Sequence, residues 1–170
     1  MIVIGIDPGK YGGIVFMDMG KNCKTFPLPL TGNRIDVGSL QELIYETGLH
    51  DVSFWDRAAG GNVEWAIAYV EIQQVRHGNM GNLLIGENYG RILAVLELMD
   101  ITIRLVRSQD WKKAMFPGQK TAGNKDISIQ YCLDAGYELP TLRPKGKKLH
   151  DGIADAVCIA LYGLKEIDGK

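Results

Sequence analysis

The feature that most constrains this chain is the run Met1-Ile2-Val3-Ile4-Gly5-Ile6-Asp7-Pro8-Gly9, continued by Lys10-Tyr11-Gly12-Gly13-Ile14-Val15-Phe16. A short β-branched run ends in one carboxylate, Pro and Gly break it, and a second apolar run returns. This pattern predicts a β-hairpin with Asp7 at the exit of its first strand. A buried apolar strand delivers its last side chain to a fixed place, so it is a good mount for a catalytic carboxylate. The glycines let another backbone, a phosphate or a metal come close. Asp, Pro and Gly are also ordinary turn residues. What separates the two readings is whether other carboxylates arrive at matching places further along.

At 170 residues the chain reads as one domain, 1–170, long enough for a full core. Mean hydropathy is near zero and no run approaches the roughly 18 apolar residues of a membrane span. The chain opens without a basic region or small-residue cleavage site, so no signal peptide is expected. Cys23, Cys132 and Cys158 are odd in number and form no CxxC pair, which fits reduced core residues of a cytoplasmic protein. Net charge is −1, which argues against a uniformly basic nucleic-acid binder. The charge is uneven, however. Residues 112–148 carry Lys112, Lys113, Lys120, Lys125, Arg143, Lys145, Lys147 and Lys148 against Asp126, Asp134 and Glu138, about +5, which leaves about −6 elsewhere. A basic segment on an acidic body suggests a localised polyanion-binding face, although a solvated Lys-rich loop has the same composition.

Taken in order, residues 22–28 predict a third strand ended by Pro27 and Pro29, and 31–33 a turn. Val37, Leu40, Leu43, Ile44 and Thr47 have helical spacing up to Gly48. Residues 51–63 read as a loop. Residues 65–71 form a second apolar strand ending in a carboxylate, Glu71. A polar loop at 76–81 precedes a strong helix at 82–99, with Ile85, Tyr89, Ile92, Leu93, Leu96 and Met99 on one stripe and Leu83, Leu84 and Val95 beyond it. A strand at 101–106 follows, then a short helix through Met115 capped by Ser108 or Asp110. A broken loop at 116–124, a helix at 125–135 ending at Gly136, a basic loop at 139–148 and a last helix at 150–164 complete the chain. This order predicts an α/β fold with a mixed five-stranded sheet, a three-stranded antiparallel meander plus parallel strands, and helices on both faces.

Asp151 and Asp155 are four apart, so they lie on one helix face, where like charges destabilise by roughly 0.2–0.5 kcal/mol. A cation between them would explain the pair. Asp155 sits within Ile153-Ala154-Asp155-Ala156-Val157, and a carboxylate embedded there needs a partner or a metal. Asp151 alone could simply be a first-turn acid favoured by the helix dipole.

The motif Ile4-Gly5-Ile6-Asp7-Pro8-Gly9, the strand ending Val70-Glu71, and the helix carrying His150-Asp151-Gly152-Ile153-Ala154-Asp155-Ala156 resemble the RuvC-type Holliday junction resolvases of the RNase H-like superfamily. The resemblance covers nearly the whole chain. In the common bacterial form the last two acids are three apart. Here that position is Gly152, and the four-residue spacing looks more like the mitochondrial, poxviral and phage branches. The resemblance implies that Asp7 bridges two metal ions and that Glu71, Asp151 and Asp155 complete the site, with His150 as another candidate ligand. It places Lys112 and Lys125 near the scissile phosphate, although ordinary exposed lysines would look alike. It implies cleavage of branched DNA by a homodimer. The 82–99 helix is the expected dimer element because it is apolar on more than one face. One stripe, such as Ile85, Ile92 and Met99, can pack on the sheet, and residues such as Tyr89, Leu93 and Leu96 can meet a second copy, with the pattern leaving open which stripe does which. Four acids without a Cys/His cluster suit Mg²⁺, with Mn²⁺ as a substitute, and disfavour zinc. Bacterial members carry an aromatic soon after the second acid. Here Ile72-Gln73-Gln74-Val75 has none, so strict bacterial sequence preference is not expected.

Three other readings share these residues. An RNase H-like nuclease could act on RNA–DNA hybrids or other branched DNA. An actin-like ATPase also opens with Asp-x-Gly, but needs a second similar domain for which this chain has no room. A catalytically inactive DNA-binding module should have lost some of the four acids.

Overall fold

The computed structural model describes residues 1–48, 66–73, 81–121 and 126–169. The loop expected at 51–63, most of that at 76–81, and Lys125 lie outside the described residues. The elements are β1 (Ile2–Asp7), β2 (Gly13–Asp18), β3 (Cys23–Pro27), β4 (Leu30–Thr31), β5 (Arg34–Ile35), α1 (Val37–Gly48), β6 (Ala66–Glu71), α2 (Asn82–Leu98), β7 (Thr102–Val106), α3 (Ser108–Met115), α4 (Ile127–Asp134) and α5 (Asp151–Asp168). The main sheet has the order β3-β2-β1-β6-β7. β1 pairs antiparallel with β2, as does β2 with β3, while β1–β6 and β6–β7 are parallel. The fold is the expected mixed five-stranded α/β sheet. Pro27 is tolerated because β3 lies at the sheet edge.

β1 is apolar throughout because it is central and covered on both faces. Alternate residues Ile2, Ile4 and Ile6 join Ile14, Phe16, Leu40, Ile44, Ile92 and Leu96 in one core layer. Val3, Val15, Met17, Ile67 and Tyr69 form the other layer against α5, with Trp111 and Cys132. Burying one such Ile or Leu stabilises by about 1.5–3 kcal/mol. The helices on the first face are α1 and α2. Among the described residues no helix is long and apolar enough to cross a membrane.

The α5 helix lies unusually close to the hairpin. A side chain at Gly5 would run into the Ala156 carbonyl, and one at Gly152 into the Tyr11 carbonyl. Gly12 and Gly152 form a β-bridge between the β1–β2 turn and the first turn of α5. Backbone therefore meets backbone where the helix begins.

Some expectations change. The turn at 31–33 belongs to a small β4–β5 hairpin, closed by Gly32 at φ +65° and docked on α2 by Asn88. The Asn88 Oδ1 accepts from Ile35 N and its amide donates to the Asn33 carbonyl, both at 2.9 Å. Two-residue strands are too short to show a period. Ser108 and Asp110 do not cap α3: Arg107 is at the N-cap, without a side-chain cap bond, and Ser108 is the first helical residue. The final helix runs on to Asp168 rather than ending at 164. Leu96, which the sequence leaves open to either the sheet or a partner copy, is fully buried with Ile92 and Val95. The outward face of α2 instead presents Leu83, Gly86, Gly90, Ala94 and Leu98. Leu83 and Leu98 are each 83% exposed.

Candidate active site

Asp7 ends β1 and Glu71 ends β6, its parallel neighbour, where Ile6 stands opposite Val70. Both carboxylates follow an isoleucine or valine of the α1/α2 face, so the pleat turns them to the α5 face. The bridge between Gly12 and Gly152 seats the start of α5 beside them, carrying Asp151 and, one turn on, Asp155. An open cleft of about 410 Å³ is lined by Asp7, Gly9, Lys10, Tyr11, Lys112, Thr121, Ser128, Asp151, Gly152 and Asp155. Glu71 is not among the lining residues, but it is coupled electrostatically to both Asp7 and Asp155.

The site is electrostatically strained. Burial, then the charges of Asp155 and Glu71, push Asp7 up to about 8, against a hydrogen bond from Gly9 N to its Oδ1 at 3.0 Å. Burial also raises Glu71. Opposing this, the Trp111 indole N–H donates to its Oε2 at 2.7 Å, and Lys112 and Ser108 also favour its charged form. Asp155 is raised by burial and eased by a Ser128 hydrogen bond and by Lys112. Asp151 pairs with Lys148 at 3.2 Å. A half-buried group of acids that raise one another is favourable ground for a cation. All the donors are hard oxygens, which fits Mg²⁺ or Mn²⁺. Among the described residues, however, no three His, Cys, Asp or Glu side chains are gathered tightly enough to hold a metal ion as they stand.

The four acids and Lys112 thus come together. His150 does not line the cleft. It is buried at the N-cap of α5, where its Nδ1 accepts from Ile153 N at 3.2 Å, and burial lowers its pKa. Lys113 and Lys120 are exposed outside the cleft lining. Arg143, Lys145, Lys147 and Lys148 are exposed on a structured loop before α5. That loop is tied by Leu142 N to the Lys148 carbonyl and His150 N to the Pro140 carbonyl, and Lys145 takes φ +62° at its tip.

Sequence reasoning missed Trp111, Ser128, Thr121, Lys10 and Tyr11. A lone Trp in the polar stretch Ser108-Gln109-Asp110-Trp111-Lys112-Lys113 was the available signal for Trp111. Ser128 and Thr121 had none, because small hydroxyl residues are common in loops and helix starts. Lys10 and Tyr11 enter only because their turn packs on α5. The Lys10 ammonium lies 5.4 Å from the Tyr11 ring centre.

No protein-family model matches the sequence, and no curated protein matches it. Solved structures do. T. thermophilus RuvC in complex with Holliday junction substrate matches with TM-score 0.61 at 19% identity, over 99% of this chain and 96% of that one. A second Thermus thermophilus RuvC structure matches with TM-score 0.55 at 23% identity, over 99% and 97%. A match over this share of the chain takes in the meander, the parallel pair bearing Asp7 and Glu71, and the helix bearing Asp155, and on that correspondence the chain has a RuvC-type, RNase H-like fold.

Proposed function

We propose that this protein is a structure-selective endodeoxyribonuclease that resolves Holliday junctions and related branched DNA by symmetric, metal-dependent phosphodiester hydrolysis. The observation that carries the reading is the convergence of Asp7, Asp151, Asp155 and Lys112 on one open cleft, with Glu71 near enough to act on the charge of Asp7. The shared fold supports it, since the T. thermophilus protein of that fold was solved with Holliday junction substrate.

In this reading Asp7, Glu71, Asp151 and Asp155 would hold two Mg²⁺ ions, for which Mn²⁺ would substitute, and the ions would supply Lewis acidity and an activated water for phosphodiester hydrolysis. Asp7 belongs to the centre of the set, because Asp155, Glu71 and Asp151 all act on its charge. Lys112 faces the same cleft and offsets charge that develops on the phosphate. Lys125 has the same proposed role. Arg143, Lys145, Lys147 and Lys148, with Lys113 and Lys120, hold the DNA backbone by charge. Lys148, which also pairs with Asp151 at 3.2 Å, would link this loop to the acid set.

Like-polarity strands of a four-way junction must be cut symmetrically, so the active form is a two-fold homodimer. The exposed apolar face of α2 is the proposed contact. The proposed setting is the cytoplasm of a bacterial or phage-infected cell.

The test is cleavage of synthetic four-way, flap, duplex and RNA–DNA substrates in Mg²⁺ or EDTA. Metal-dependent paired cuts in the four-way junction, with little duplex cleavage, are expected. Equal or better cleavage of RNA–DNA hybrids would transfer the reading to an RNase H-like activity, and binding without cleavage to a DNA-binding module.

A further inference from the structure

The carboxylate of Glu71 is not held by its own strand. Its hydrogen-bond partner comes from the first turn of α3, where the Trp111 indole N–H donates to Oε2 at 2.7 Å. Ser108, three residues before Trp111 and so on the same face of that helix, also favours the charged carboxylate. β7 pairs with β6 such that Glu71 stands opposite Val106, and the Ile72 amide donates to the Val106 carbonyl at 2.8 Å. The helix therefore starts immediately beyond the level at which Glu71 leaves the sheet.

Trp111 is fully buried, packed edge-to-face on Phe116 with ring centres 6.2 Å apart. Its indole can only donate, and its one N–H goes to Oε2 of Glu71. The same ring carries a second load. The Lys112 ammonium lies 4.9 Å from the Trp111 ring centre, within cation–π reach, and Lys112 lines the cleft and favours the charged forms of Glu71 and Asp155.

We infer that the first turn of α3 is an orienting clamp in which Trp111 and Ser108 fix the Glu71 carboxylate toward Asp7 and Asp155, while the Trp111 ring steadies Lys112 over the cleft. Trp111 and Ser108 are positioning residues, acting through Glu71 and Lys112. The ordinary alternative is that Glu71 merely satisfies a buried indole, as any acceptor would. The two differ in one respect. A clamp sets how well the acid group binds a cation, whereas a satisfied indole sets only stability.

This inference rests on the metal-dependent reading of the site, and the experiment separates the two. Mn²⁺ binding is measured on the whole protein by the loss of the free-ion electron paramagnetic resonance signal, with wild type, Trp111→Phe and Ser108→Ala, alongside thermal melting. Trp111→Phe keeps an aromatic ring beneath Lys112 and removes only the N–H. Ser108→Ala is a mild change at a half-buried helix start and covers the case in which Trp111→Phe does not fold. Outer hydrogen-bond partners of metal ligands typically cost 10–100-fold, so Mn²⁺ binding should weaken roughly tenfold or more in Trp111→Phe, and several-fold in Ser108→Ala. The Mn²⁺ concentration for half-maximal junction cleavage should rise in step, with junction affinity in EDTA unchanged. Variants that melt lower yet bind Mn²⁺ like wild type would overturn the clamp while leaving the nuclease reading intact. Wild type that binds no Mn²⁺ would overturn both.

Discussion

Gly152 meets the carbonyl of Tyr11 so closely that no β-carbon fits between them, and this contact sets where Asp151 and Asp155 stand. The position three before Asp155 is thereby closed to any ligand, and the acid falls four residues back. The spacing of the last pair follows from how the helix is seated. Gly152→Ala must push α5 off the β1–β2 turn. Overpacking of this kind costs about 1–3 kcal/mol. Each kcal/mol lowers Tm by roughly 2–4 °C at this chain length. Calorimetry should show that loss together with a large drop in junction cleavage; an unshifted Tm would contradict the seating.

Asp7→Asn should abolish cleavage and leave junction binding largely intact. Asn keeps the shape and an acceptor for Gly9 N, but loses the charge. The loss should exceed the roughly 100-fold typical of outer partners of metal ligands. Single-turnover cleavage and gel-shift binding measure the two halves, and a near wild-type cleavage rate would misplace the site.

The raised pKa of Asp7 has a thermodynamic consequence in EDTA. An unfolded chain releases this proton near the ordinary value of 3.8, whereas the folded chain holds it to about 8. Between those values the folded state binds more protons, so the Asp7 contribution to stability falls as pH rises. Comparing Tm against pH for wild type and Asp7→Asn should show a steeper decline in wild type between about pH 5 and 8. Added Mn²⁺ should restore most of the difference at the alkaline end.

How much of this is legible in the sequence depends on the element. The runs at β1, β2 and β6 announce themselves because buried strands are uniformly apolar, and their terminal acids are visible in the same stretch. The helix α1 is readable to its last residue from spacing and Gly48. Trp111 is not readable as a partner of Glu71. An apolar aromatic in a short helix looks like core whether or not its N–H points at an acid 40 residues away. Leu96 and Leu98 show a similar limit. Both are leucines on one helix, and only the direction of the sheet decides which is buried and which is exposed. His150 resembles a metal ligand because of its neighbour Asp151, but a helix start also needs an acceptor for its free amides, and that need is what His150 meets.

The basic loop should govern affinity rather than chemistry. Arg143, Lys145 and Lys147 are exposed and stand apart from the cleft lining. Replacing all three by Gln should weaken junction binding and flatten its salt dependence, by up to about 0.9 in log–log slope for each phosphate no longer neutralised. The cleavage rate at saturating enzyme should stay within a few-fold. Fluorescence anisotropy across a salt series checks the slope; a slope equal to wild type would remove the loop from the DNA interface.

The outer face of α2 should hold two copies together. Sedimentation at micromolar concentration is expected to give twice the 18.8 kDa chain mass. Leu83→Asp with Leu98→Asp should shift it to the monomer without unfolding, since both side chains are 83% exposed. A wild-type monomer that still cuts junctions fully would rule out the stable dimer.

The packing of Ala156 and Ala160 on Gly5 joins the strand at 2–7 to the helix at 151–168. A ribosome delivers the first of these long before the second. Asp7 then waits for Asp155 while all the residues between them are made. Contacts of such long range are also slow to close, because loop entropy opposes them until the end. A chain that stops short of the helix at 151–168 therefore carries Asp7 and Glu71 without Asp151 and Asp155, and leaves Gly5 without the helix that packs on it.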